Sequence, residues 1–243
     1  MANKKTFFGL IVFMLALVTI TFAVANNNNE IDKDYTSNFL LDDCNFKTVG
    51  ENPYFILKPK HKLVLEGQDG DEEIHLEVTV LGDKERIFVP GIGRIETRVV
   101  EEREWINGEL IEVSRNFFAI CKRTNDVYYF GEDVDIYENG EIVNHSGAWR
   151  AGENNAMPGI MMPGTFLLGS RYFQEIAPGV AMDQGENVEM ELTIETKAGT
   201  FENCVKVIET TPLEPGSESE KVYCLGIGLT IDNSAELVEI NHN

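Results

Sequence analysis

Basic residues are scarce in this chain: 20 lysines and arginines stand against 41 aspartates and glutamates, for a formal net charge of −21. A surface of that sign repels phosphate backbones, which excludes nucleic acid as a partner, and it disfavours anionic membrane surfaces. The four histidines, His61, His75, His145 and His242, share no metal-ligand spacing. G-x-S-x-G, H-E-x-x-H and the Walker glycine loop are all missing. The four cysteines contain no C-x-x-C, so a redox motif, a zinc knuckle and a c-type haem site lack support. Strong amphipathic helix patterns are missing too, with a short stretch between Ala181 and Glu191 the single candidate. Two Gly-Ile-Gly tripeptides, Gly91–Gly93 and Gly226–Gly228, are too short to count as a repeat.

What is present begins with an export signal. Lys4 and Lys5 precede an apolar run from Phe7 to Val24, and Ala23-Val24-Ala25 supplies small residues at the −3 and −1 positions. This pattern predicts a signal peptide over residues 1–25; the alternative is an uncleaved anchor helix. No cysteine follows the cleavage point, which argues against a lipoprotein anchor. Either way residues 30–243 lie outside the cytoplasm, secreted, periplasmic or at the cell surface. Cleavage leaves no stable membrane span and removes two lysines and no acid, so the remainder is more negative still. Residues 26–36 read as a polar disordered arm, and residues 37–243 as a single β domain.

Cys44, Cys121, Cys204 and Cys224 make an even count in an exported chain, which predicts two disulfides. Of three pairings, Cys204 with Cys224 is favoured, because Thr200–Thr210 and Val222–Thr230 read as two strands joined by a Pro-Gly loop. That leaves Cys44 with Cys121.

The rest reads as strands and turns. Asp69-Gly70, Asn107-Gly108 and Asn139-Gly140 each separate runs rich in apolar residues, a hairpin signal. Around Asn107-Gly108, the residues Val100, Ile106, Leu110, Val113, Phe117 and Ile120 are expected to share a buried face. Residues 147–169 carry too many prolines and glycines for a helix or a central strand, and read as a long ordered loop. The fold class is therefore all-β: a single antiparallel curled sheet or open barrel of roughly ten strands, closed on one side by that loop.

Several residue groups could carry chemistry. Glu132, Asp133 and Asp135 concentrate oxygen ligands for Ca²⁺, although their alternation with Val134 and Ile136 also describes a solvated strand face. Glu101, Glu102 and Glu104 beside Trp105 could serve glycoside hydrolysis; ion pairing with Arg98, Arg103 and Arg115 is the safer account of them. Met157, Met161 and Met162, with His145, offer soft ligands for Cu(I), or else plain core packing. Asn144-His145-Ser146 is an N-glycosylation sequon.

Seven stretches also carry a resemblance. They are Arg98–Trp105, Tyr129–Asp133, Gly147–Gly152, Met157–Gly164, Tyr172–Gly179, Glu209–Gly216 and Gly226–Leu229. In combination they resemble a family of exported β-rich proteins of bacteria and archaea with no assigned activity. The resemblance implies an extracytoplasmic β domain. Where that family has an aromatic-Ala-Pro-Gly run, this chain has Tyr223-Cys-Leu-Gly226, a departure that fits a disulfide of its own. The tail is also loosely similar to curled-sheet lipoprotein carriers, whose concave apolar face holds acyl chains.

The functional expectation is a non-enzymatic binding or surface module. Trp149, Met157, Met161, Met162 and Phe166 would meet an apolar ligand or an extracytoplasmic partner protein. A Ca²⁺-stabilised surface or matrix protein and an extracytoplasmic hydrolase are the alternatives. No cofactor is expected beyond that Ca²⁺.

Overall fold

The computed structural model describes residues 32–242. The expected signal peptide over residues 1–25 and most of the expected polar arm fall outside that range. The described chain is all-β, with a single 3-10 turn at Leu41–Asp43. Its strands are β1 (Phe46–Lys47), β2 (His61–Asp69), β3 (Glu72–Val89), β4 (Gly93–Ile106), β5 (Glu109–Cys121) and β6 (Val127–Glu138). Then come β7 (Glu141–Asn144), β8 (Trp149–Arg150), β9 (Met157–Met162), β10 (Arg171–Phe173) and β11 (Glu175–Ile176). The last are β12 (Gln184–Thr196), β13 (Gly199–Thr210), β14 (Glu218–Cys224), β15 (Gly228–Asp232) and β16 (Ala235–His242).

Sixteen strands stand where roughly ten are expected for such a barrel-like sheet. The surplus is short: β1, β8 and β11 have two residues each and β10 has three. The order is β10-β12-β13-β14-β15-β16-β2-β3-β4-β5-β6-β9-β11, with β1 on β5 and both β7 and β8 on β6. Its first and last members, β10 and β11, are separated in the chain by Gln174 alone. The sheet therefore curls until its two ends meet in one backbone segment, although no ladder among the described residues joins them. Gly159 in β9 permits that meeting, since a Cβ there would lie 2.3 Å from the Phe173 carbonyl oxygen.

The turns follow the sequence. Asn107-Gly108 has φ of 53° and 78°, and Asn139-Gly140 has 52° and 80°. Positive φ at both positions is the type I′ geometry, which matches the strand twist. Cys204 and Cys224 face each other across β13 and β14 and are bonded, as are Cys44 and Cys121.

Four expectations change. The 147–169 segment is not all loop, because β8 and β9 add to β6 there. The Ala181–Glu191 region is not helical: its backbone bonds are taken by β13 through the β12 ladder, and tertiary pairing overrides local pattern. The described end of the polar arm is docked, with the Thr36 amide donating to the Arg171 carbonyl and Tyr35 packing edge-on against Phe173. Finally, Val113 and Phe117 do not share a face with Val100. The register sets Val100 opposite Asn116 and Val99 opposite Phe117.

That last difference shapes the interior. Facing inward from β4, β5 and β6 are Val100, Glu102, Glu112, Ser114, Asn116, Phe118, Tyr129 and Glu132. On the outer face, Val113 and Phe117 are still buried. The Arg150 guanidinium lies 4.2 Å above the Phe117 ring, so a long polar side chain covers apolar surface. Phe46 packs edge-on against Tyr128 and Phe130, and the Cys44–Cys121 bridge fastens that cover to β5.

Candidate functional site

The sheet curls around a cavity of about 80 Å³. About one probe sphere of such volume, roughly 10–15 Å³, holds a water, so a small ligand or several waters fit. One wall is apolar, from Leu63, Val78, Val80, Val100, Phe118 and Leu229. Tyr54, Phe55 and Ile56 enter from the β1–β2 connection. Asn52 anchors that connection. Its Oδ1 accepts from the Tyr54 and Phe55 amides, both at 2.9 Å, and its Nδ2 donates to the Asn125 carbonyl at 2.9 Å. Phe55 then packs 4.9 Å from Phe118, which stacks on Tyr129 at 4.8 Å.

Acids dominate the polar wall. Glu102, Glu112, Glu132, Glu175, Asp183 and Glu209 all reach the cavity, against one lysine, Lys221. Lys221 Nζ sits 3.4 Å from both Glu209 and Asp232. Burial alone would pull its pKa down; Asp232 and Glu209 outweigh that and hold it well above the ordinary value. Gln174, the residue at the seam of the sheet, donates to Glu209 Oε1 at 2.7 Å. Glu175 Oε1 accepts from the Asp183 amide at 2.7 Å.

Four inward-facing acids each leave one oxygen unpaired. Glu104 Oε2, Glu112 Oε2, Glu132 Oε2 and Glu175 Oε2 are buried with no hydrogen-bond partner. Their side chains are almost fully enclosed, at 2, 3, 1 and 0% exposure. Burial, reinforced by neighbouring acids, pushes Glu112 up to about 9 and Glu104 to about 8. Burial and Glu102 push Glu132 to about 8, with the Tyr129 and Ser114 hydroxyls pulling the other way. Glu102 rises to about 7, burial again leading, and Glu175 is driven well above the carboxylate range. Near neutrality this wall therefore holds protons, because desolvation penalises the charged form. Tyr129 O–H donates to Asn116 Oδ1 beside it.

The structure distributes the residues singled out in the sequence. Met161 lines the cavity. Met162 and Phe166 belong to the core, and Met157 is 41% exposed. Trp149 is buried against Tyr129 at 5.2 Å and lines an outer depression with Asp133 and Arg150. Glu132 faces inward, whereas Asp133 pairs with Arg150 at 2.8 Å and Asp135 with Arg115 at 3.0 Å on the outside. The three proposed Ca²⁺ ligands are thus split between the two faces of β6. Among the described residues, no three His, Cys, Asp or Glu groups converge as a metal site would need. Glu101 pairs outside with Arg103 at 2.8 Å, while Glu102 and Glu104 turn inward. Asn144 ends β7, its Oδ1 accepting from the Ser146 amide at 2.9 Å.

Sequence reasoning missed Glu112, Glu175, Asp183, Glu209 and Lys221. One signal was available: Glu102, Glu104, Glu112 and Ser114 all sit at alternate positions of adjacent strands, so a single register choice puts them on one face. Six of the seven sequence stretches singled out above supply cavity residues, among them Glu102, Glu132, Met161, Glu175, Glu209 and Leu229. Comparison with protein-family models, curated proteins and solved structures finds no match for this chain.

Proposed function

We propose that the chain is an exported binding protein that takes a small molecule into the interior of its curled sheet. The carrying observation is the set of buried carboxyl oxygens without partners beside an apolar wall in one cavity. A folded protein rarely leaves buried acceptors unpaired, and each orphan points to a group that belongs there. Two disulfides support work in an oxidising compartment, as the N-terminal pattern suggests. Among the described residues no helix is long and apolar enough to cross a membrane. The contact surface is the cavity rather than the Trp149 segment, since Trp149 and Met162 are committed to packing.

The test is native mass spectrometry of the disulfide-intact chain recovered from its own compartment. A retained small-molecule mass that disappears in the cavity-filling variant Ser114→Phe supports the reading. A bare mass in both would overturn it.

An extracytoplasmic hydrolase is the second reading, and one observation favours it. Glu102 and Glu104 face inward with pKa values of about 7 and about 8, and an acid protonated near neutrality is what general acid catalysis requires. Turnover of a glycoside library that Glu102→Gln abolishes would promote it.

A further inference from the structure

The cavity shows a mismatch between the charge on its wall and the cations available to balance it. Six carboxyl groups reach it, and Lys221, their one lysine, is engaged by Glu209 and Asp232 on the β13–β15 side. Glu112 on β5, Glu132 on β6 and Glu175 on β11 line the same cavity, and each holds a buried oxygen with no partner. We infer that the ligand is a small organic cation, an alkylammonium head on a short apolar body, seated with its head toward the unpartnered acids of this cavity. This rests on the interior binding site proposed above and names its ligand class.

Three chemistries compete for the space. A carboxylate or phosphate ligand adds one more anion to a cavity that six acids already crowd. A purely apolar ligand leaves the three oxygens desolvated and unpaired, the costly outcome for a buried acceptor. An ammonium carries three donors and no acceptor, the complement of these carboxyl oxygens once they give up their protons. Its charge also replaces the protons that burial otherwise forces onto the wall, at sites dispersed over three strands. The apolar side chains Val78, Val80 and Val100 are placed to cover the body of the ligand. Cavity size limits the body to a few carbons.

The experiment is isothermal titration of the disulfide-intact full chain at about pH 8 with three isosteric probes: n-butylammonium, n-butanol and butyrate. The expected result is n-butylammonium binding at least tenfold tighter than n-butanol, the margin of one charge-assisted hydrogen bond, with butyrate silent. Glu132→Gln, which keeps the side-chain volume, should erase that margin, and Glu175→Gln provides the same check at a second position. Equal affinity for the amine and the alcohol would overturn the ammonium class while leaving an interior binding site standing. Silence from all three probes, together with a bare native mass, would overturn the binding site itself.

Discussion

Lys221 is the residue on which the interior charge balance turns. It stands between Glu209 and Asp232, and its side chain is 13% exposed. Removing one member of a buried ion pair leaves the remaining charge desolvated, at a cost of about 3–5 kcal/mol. Lys221→Met should therefore destabilise the chain by roughly that amount at pH 8. The penalty should shrink at about pH 5, because Asp232, which burial already lifts to about 6 despite Lys221, can then take a proton. Chemical denaturation at both pH values measures this directly. An equal loss at the two would mean that Lys221 acts through packing rather than through charge.

At the scale of elements, the seam between β10 and β11 is the place where a methyl group should matter. A Cβ on Gly159 would come within 2.3 Å of the Phe173 carbonyl and 2.6 Å of Gln174 backbone atoms. Backbone cannot swing aside as a side chain can, so Gly159→Ala should cost about 1–3 kcal/mol by overpacking. It should also raise amide exchange in β11 before β2 or β3. A variant with unchanged stability and exchange would show that the two ends of the sheet are not held at that distance. The hairpins were legible in the sequence because Asn-Gly states a turn geometry, and the Cys204–Cys224 bridge because strand pairing implied it. The inward acids were not. Glu101-Glu102-Arg103-Glu104 looks like a solvated charge run until the register separates its faces. The seam was hidden for another reason: strands of two and three residues carry no periodicity to read.

For the whole molecule the enclosed acids set how stability follows pH. A carboxyl whose pKa is raised on folding binds its proton more tightly in the native state, so stability falls as pH rises through the interval. Here the interval starts near the ordinary glutamate value of 4.5 and runs through about 7 for Glu102 and Asp183 to about 9 for Glu112. Below that start the contribution is fully present; above its end it is gone. Exposed ion pairs such as Lys84–Glu96 work in the opposite sense, losing strength as acid protonates the carboxylate. Solvent screens such exposed pairs, so the interior groups decide the trend. The melting temperature of the ligand-free chain should thus peak near pH 5 and fall by on the order of 10 °C toward pH 9. Growing repulsion across an acidic surface would give the same sign, so the two causes need separating. Glu112→Gln should flatten the decline, whereas Glu72→Gln, on the exposed β2–β3 hairpin, should leave it unchanged. Equal flattening by both variants would assign the decline to surface charge, and the interior acids would then have to be balanced by something other than protons.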